Sequence, residues 1–207
     1  MRISMTEGVP MTQKERLSYF ISRINNDPEL KDEVYDKCDP CEFFDPEELQ
    51  EDLGFLLEGG CKQEHDLIPF MDDGCGGLYV LVNNEHVALI DSEGNAGYIA
   101  DTVDDFVNIL FVFKFFCYSE TSLNSFEQYM KEYDEDSFSK ERSDILDKFL
   151  EDENMDTDPK KVYEKLVKGI CTMPELRIDP TDDDYVPYDN LLGMSSNAFT
   201  KFCKEHN

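Results

Sequence analysis

Basic residues are scarce in this sequence. Its 207 residues include 19 Lys and Arg against 47 Asp and Glu, which gives a formal net charge of -28. Nucleic acids and anionic membranes attract proteins through Lys and Arg side chains, and a surface this negative repels both. We therefore expect no nucleic acid and no membrane as a partner, and a basic protein as the natural one. Solubility alone is the alternative explanation of the acidic excess.

Long hydrophobic runs are lacking as well. The richest apolar stretch, residues 106–118, is too short to span a bilayer and contains Lys114, and residues 1–10 hold no apolar run of signal-peptide length. The seven cysteines are odd in number and irregularly spaced, which argues against a disulfide framework and for a reducing compartment. These features predict a cytoplasmic protein.

Apolar residues are nevertheless abundant enough for a core, at 40% hydrophobic and 12% aromatic residues. Their recurrence at intervals of three and four predicts amphipathic helices in most of the chain. We predict helices at residues 12–25, 28–38, 103–116, 122–133, 139–151, 159–170 and 196–204, and one that opens at Asp45 and ends at Gly59. Asp101 is the predicted N-cap of the helix that starts near residue 103, and residues 172–189 are predicted to be an irregular, acidic surface tail.

The middle of the chain is typical of a β-meander. Short apolar runs at residues 67–70, 78–82, 87–90 and 98–100 are separated by Asp-, Asn- and Gly-rich turns. Neighbouring strands joined by short turns pair antiparallel. The sequence therefore predicts one α+β domain over residues 1–207, with N-terminal helices (1–60), the meander and a core helix (66–118), and a helical extension with the acidic tail (119–207).

Residue patterns of the common enzyme classes are absent. Only three histidines are present, at 65, 86 and 206, and none lies near a Ser or Cys in a nucleophile motif. The glycine-rich residues 74–77 lack the Lys of a phosphate-binding loop and precede a strand. The aspartates near the meander do not follow the spacing of a calcium-binding loop. We therefore predict no catalytic residues, no metal and no cofactor, and a chain that is not an enzyme.

Two alternatives rest on the cysteines. Cys38 and Cys41 form a CxxC pair, but the pair lies between predicted helices and not in the strand–helix setting of a thiol oxidoreductase. The same pair has the spacing of half a zinc site, and Cys203 with His206 has that of the other half, provided that the two ends of the chain meet. Two small thiols beside a helix end are the simpler interpretation.

A family resemblance is carried by the meander and the start of the following helix. Residues 67–81 (LIPFMDDGCGGLYVL), residues 87–94 (VALIDSEG) and residues 99–107 (IADTVDDFV) resemble, in order and spacing, a signature of the SUKH superfamily of immunity proteins, whose fungal relatives regulate cell-wall synthesis. The usual lead-in of that family is not recognisable upstream, and the helical extension after Tyr118 is longer than the family core requires.

The resemblance implies a twisted, mainly antiparallel sheet flanked by helices, and an antidote to a polymorphic bacterial toxin, often a nuclease. Masking of the active site of a basic toxin agrees with the negative charge, because charge steering accelerates association. Acidic and aromatic residues on loops and on the tail are the predicted partner-binding residues: Asp72, Asp73, Glu93, Asp182, Asp183, Asp184, Tyr185 and Tyr188. The alternative is an intracellular regulatory or scaffold protein that binds a housekeeping partner.

Overall fold

The computed structural model describes residues 10–38, 42–57, 60–116, 118–136, 143–182, 184 and 186–206. Within these residues helices and one antiparallel sheet make up an α+β fold, as predicted. The helices, in chain order, are α1 (Gln13–Asn25), α2 (Pro28–Lys37), α3 (Gln50–Leu56), α4 (Val103–Phe113), a short 3-10 helix (Ser122–Asn124), α5 (Phe126–Asp136), α6 (Asp144–Asp152), α7 (Pro159–Ile170) and α8 (Ser196–His206).

The sheet is the predicted meander, with strand order β1-β2-β3-β4 and every neighbouring pair antiparallel. Its strands are β1 (Leu67–Asp72), β2 (Leu78–Val82), β3 (His86–Ile90) and β4 (Ala96–Ala100). Asn83 and Asn84 form the tight turn between β2 and β3 with positive φ angles of 53° and 56°, a conformation that Asn tolerates.

Side-chain caps explain where several helices begin. Thr12 and Glu15 form a capping box at the start of α1, and the Asp27 carboxylate accepts a hydrogen bond from a first-turn amide of α2. The prediction of Asp101 as the cap of α4 is wrong: the Thr102 hydroxyl accepts from the Asp105 amide, 3.0 Å away. Asp101 instead forms an ion pair with Lys168.

Several predicted boundaries also differ. Residues 46–49 form a turn, so α3 begins at Gln50 and not at Asp45. The predicted helix at 122–133 is divided, because Ser125 adopts an extended conformation between the 3-10 helix and α5. Ser143 caps α6, which begins at Asp144, and the predicted start at residue 139 lies outside the described residues.

Both faces of the sheet are buried, because apolar side chains alternate between two cores along the strands. The larger core joins one face to the helices, including α1, α2, α4 and α7. The smaller core covers the other face. It contains Leu49 and Leu53, which precede the sheet in the chain, and Leu176 and Ile178 from the tail. The irregular tail is therefore part of the core and not only a surface wrap.

Helix α7 lies close to the sheet at Gly169. Gly169 faces β4, and a Cβ atom at this position would lie 2.3 Å from the Ile99 carbonyl oxygen and 2.5 Å from the Ala100 Cα. Only hydrogen at the Gly169 Cα permits this approach. The glycine thus sets the distance between α7 and the sheet.

A partly buried charge cluster joins three helices on the larger core. The Arg16 guanidinium lies 2.6 Å from the Asp104 carboxylate and 3.0 Å from that of Glu153. The Tyr19 hydroxyl also donates to Glu153, and this hydrogen bond raises the pKa of Tyr19. The cluster ties α1 to α4 and to the end of α6.

Replacement of Arg16 by Met keeps the apolar stem and removes the charge. We expect the Arg16→Met substitution to lower the free energy of unfolding by about 2 kcal/mol, because it leaves the partly buried Glu153 carboxylate without its cation. Chemical denaturation measures the loss. Lys201→Met, at an exposed pair with Glu205, is the matched control and should change it by less than about 0.5 kcal/mol. Equal effects at the two sites would contradict the role of the cluster.

Within the described residues, none of the helices has the length and apolar character required to cross a bilayer.

Candidate functional site

Two turns lie side by side at one end of the sheet. Strand order and antiparallel pairing bring the β1–β2 turn (residues 73–77) next to the β3–β4 turn (residues 91–95). The Ser92 hydroxyl joins them by donating a hydrogen bond to the Cys75 carbonyl oxygen, 3.0 Å away. The two turns therefore form one surface.

Aspartates hold the first turn in shape. The Asp72 carboxylate accepts from the Gly74 amide at 2.8 Å, and the Asp73 carboxylate accepts from the amides of Cys75 and Gly77 at 2.8 and 2.6 Å. Gly77 is required by space, because a Cβ there would lie 2.8 Å from the Asp91 Cα. Both predicted partner-binding residues of this turn thus also build it.

The second turn repeats this construction. The Asp91 carboxylate accepts from the amides of Glu93 and Asn95 at 2.9 and 2.8 Å. Gly94 has a φ of 89°, which suits glycine. Glu93 is exposed, so its carboxylate is the charged tip of the turn.

The tail passes over the face of the sheet that the smaller core covers, and it returns beside these turns. The Tyr188 amide donates to the Ile178 carbonyl, which closes an excursion of the chain over residues 179–187. The Asp189 amide donates to the Gly94 carbonyl, and the Ala96 amide donates to the Asp189 carbonyl. The Tyr188 hydroxyl donates to the Leu56 carbonyl and so links the tail to α3.

A groove of about 780 Å³ opens between α3, the two turns and the tail. We call it the acidic groove, and the carboxylates that line it are Asp52, Asp72, Glu93 and Asp189. No Lys, Arg or His lines it among the described residues, and none of its four carboxylates forms an ion pair with a residue that the structure describes. Its negative potential is therefore not compensated from within this part of the chain.

Some carboxylates elsewhere in the described residues are compensated by basic side chains. Asp101 lies 2.6 Å from the Lys168 ammonium group, and Asp105 lies 3.2 Å from that of Lys165. Desolvation raises the pKa of the Asp156 carboxyl group. Hydrogen bonds from the ammonium groups of Lys161 and Lys165, together with their positive charge, outweigh this effect and lower the pKa. The groove therefore differs from these paired sites, and its charge is available to a partner.

Two large apolar side chains stand at the rim of the acidic groove. Phe55 on α3 is 69% exposed, and Val186 on the tail is 82% exposed. An exposed Phe gains free energy when a partner covers it, and apolar groups ringed by charge are typical of protein interfaces. The groove thus combines apolar contact area with uncompensated negative charge.

No family model matches the chain, and searches of the curated proteins and of the solved structures find no significant match. The site must therefore be interpreted from its own chemistry.

The structure brings together several of the predicted partner-binding residues. Asp72, Glu93 and Tyr188 line the acidic groove, although they are far apart in the sequence. Asp182 and Asp184 are exposed and lie in the chain between Pro180 and Val186, which line the groove, but they are not among its lining residues. Asp73 lines a neighbouring pocket on the other side of the β3–β4 turn. Asp183 and Tyr185 lie outside the described residues.

The charged and exposed apolar residues of the groove that sequence reasoning missed are Asp52, Phe55, Val186 and Asp189. One signal was present, because Phe55 lies off the apolar face of α3 that Leu49 and Leu53 form. A large apolar residue on the polar side of a helix is a candidate contact residue.

The cysteines of the two alternatives take different positions. Cys38 is buried against α4, with its thiol 4.0 Å from the Leu110 carbonyl oxygen, and Cys41 lies outside the described residues. Cys203 is buried next to Cys171, and burial raises the pKa of both thiols. In the part of the chain that the structure describes, no three His, Cys, Asp or Glu side chains are grouped to hold a metal ion.

Proposed function

We propose that this protein is an immunity protein of the SUKH type, which binds a basic toxin domain at the acidic groove and masks its active site. The observation that carries the proposal is the groove itself: four carboxylates without a basic partner among the described residues, beside the exposed side chains of Phe55 and Val186.

The physical chemistry of the groove supports a protein partner. Uncompensated carboxylates steer a cationic surface toward the groove, while covered apolar groups and aromatic rings supply most of the affinity once contact is made. A nuclease has a cationic cleft for its substrate phosphates, and an acidic inhibitor can occupy the same cleft. A nuclease toxin is therefore the partner class that we propose.

The position of the family-like residues supports the same proposal. The segment that resembles the SUKH signature contains both turns at this end of the sheet, and it supplies Asp72 and Glu93 to the groove. The residues that carry the resemblance are thus also residues of the candidate site.

Co-expression with the toxin-like reading frames encoded beside its gene tests the proposal. One of these frames should arrest growth alone, and this protein should restore growth and co-purify with the toxin at one-to-one stoichiometry. A groove variant, Asp72→Asn, Glu93→Gln and Phe55→Ala, should lose most of the protection. Asn and Gln remove the charge but can still accept hydrogen bonds, so the turn at Asp72 keeps its acceptor.

A control variant on α2 matches these changes: Asp32→Asn, Asp36→Asn and Tyr35→Ala. All three residues are exposed, and Tyr35 is 61% exposed, but α2 packs in the core on the opposite face of the sheet. The control should protect like the unmodified protein. No protection against any neighbouring toxin would refute the immunity role and favour a housekeeping partner. Equal protection by both variants would place the toxin on another face.

A further inference from the structure

A second pocket, of about 400 Å³, lies on the other side of the β3–β4 turn. Consecutive residues of a strand point to opposite faces, and accordingly Leu78 lines the acidic groove while Tyr79 lines the second pocket. We call it the aromatic pocket; its chemically distinctive lining residues are Phe115, Phe116, Tyr118, Asp73, Asp91 and Glu93. Glu93, at the tip of the turn, lines both depressions.

Core packing holds the aromatic wall of this pocket in place. The Phe116 ring stacks on Phe106, with centroids 5.3 Å apart and planes 19° apart, and it also lies 5.3 Å from the Tyr79 ring. The Phe115 ring stacks on Tyr133 at 5.1 Å with nearly parallel planes. Both rings pack against neighbouring side chains but are only partly buried. Part of each ring therefore lines the pocket.

Carboxylates line the same pocket and are also held in position. The Asp73 and Asp91 carboxylates accept hydrogen bonds from turn amides, which hold them in position, and no basic side chain lines the pocket among the described residues. Burial, together with the Asp91 and Asp73 carboxylates, raises the pKa of Tyr118 to about 12. Tyr118 therefore remains a neutral phenol at physiological pH, and its ring joins the aromatic wall without adding charge.

We infer that the aromatic pocket binds the guanidinium group of an arginine side chain on the protein partner. A guanidinium is planar and weakly hydrated, so it can stack on aromatic rings while its N–H groups donate to the carboxylates that line the same pocket. The ammonium group of lysine is compact and strongly hydrated, and it gains less from the rings. The inference deepens the proposed function by naming an anchor residue on the partner. It rests on that function for the identity of the protein that carries the arginine, but not for the arginine site itself.

Titration with short peptides tests the pocket independently of any toxin. The probes are acetyl-Gly-Arg-Gly-amide, its lysine analogue and its citrulline analogue, in which a neutral urea replaces the guanidinium. Amide and aromatic NMR signals should shift around residues 91–95 and at Phe115 and Tyr118. We expect a dissociation constant of about 1 mM for the arginine peptide, several-fold weaker binding for lysine and no saturable shift for citrulline.

Two variants locate the binding. Phe115→Leu keeps an apolar side chain and removes the ring, and Glu93→Gln removes one charge; each should weaken arginine binding about fivefold. Tyr35→Leu, which removes an exposed ring on α2, is the control and should have no effect. Dispersed amide spectra of all three variants establish that they fold.

Equal binding of the arginine and citrulline peptides, or arginine binding that neither pocket variant weakens, would overturn the inference. Such a result would leave the immunity role standing if the co-expression test succeeds. Peptide binding without protection from any toxin would instead retain the arginine site and refute the proposed function.

Discussion

The Gly169→Ala substitution should lower the free energy of unfolding by about 3 kcal/mol, at the upper end of the usual overpacking penalty. The added methyl group would lie 2.3 Å from the Ile99 carbonyl oxygen and 2.5 Å from the Ala100 Cα. Both atoms belong to the backbone of β4, so no side-chain rotation can relieve the clash.

Relief of this clash requires α7 to move away from the sheet. Helix α7 also packs on α4, and Leu166 and Ile170 on α7 are buried in the larger core. A displacement would therefore open well-packed contacts around these side chains, and close-packed interiors tolerate such shifts poorly. The cost should greatly exceed the gain in helix propensity of Ala over Gly.

Urea denaturation followed by circular dichroism measures this loss. Gly54→Ala is the matched control, since Gly54 is also within a helix but is exposed and has no atom within 4 Å of the added Cβ. The control should stabilise the protein by up to about 1 kcal/mol. A Gly169→Ala protein as stable as the unmodified one would mean that α7 does not approach β4 as closely as described.

We expect the rate constant for association with the toxin domain identified by co-expression to fall roughly tenfold as the salt concentration rises from about 0.01 to about 0.1 M. Over this range the screening length falls from about 30 to about 10 Å, which removes most long-range steering. The carboxylates of the acidic groove should account for much of this effect, because they have no basic partner among the described residues.

Stopped-flow mixing separates the charged residues of the groove from its apolar rim. Asp72→Asn with Glu93→Gln should lower the association rate at low salt and flatten its salt dependence. Phe55→Ala with Val186→Ser should mainly raise the dissociation rate, because covered apolar groups act after contact. The carboxylate control, Asp32→Asn with Asp36→Asn on α2, should stay close to the unmodified rates.

A salt dependence that the groove charges do not change would show that steering comes from the net charge of -28 as a whole. In that case the groove would contribute contact area to the complex but would not steer the approach of the toxin.

Local pattern was sufficient for most of the architecture. The β2 and α7 boundaries agree with the predicted ranges, and the four-stranded antiparallel meander follows from short apolar runs and turn residues. Prediction failed where neighbouring residues compete for one role. Asp101 and Thr102 are both acceptable caps, and the contacts of the Asp101 carboxylate with Lys168 on the distant α7 and with His86 on β3 explain its different position.

The candidate site was predicted only in part, because the fold brings together residues that are far apart in the sequence. Acidic and aromatic residues in loops pointed to Asp72, Glu93 and Tyr188, which the fold brings to one groove. Phe55 and Val186 could not be paired from the sequence, because 130 positions separate them and the tail that carries Val186 has no regular periodicity.

Composition determined the negative charge and the sufficiency of apolar residues for a core, and local spacing along the sequence determined the order of helices and strands. Tertiary structure decided which carboxylates remain uncompensated and which apolar groups stay exposed. Both properties depend on which residues meet across the fold: Lys165 and Lys168 lie beside Asp105 and Asp101, whereas no described basic residue lines the groove at the turns. Burial of Leu176 and Ile178 against the sheet places the tail, and with it Val186, at that groove.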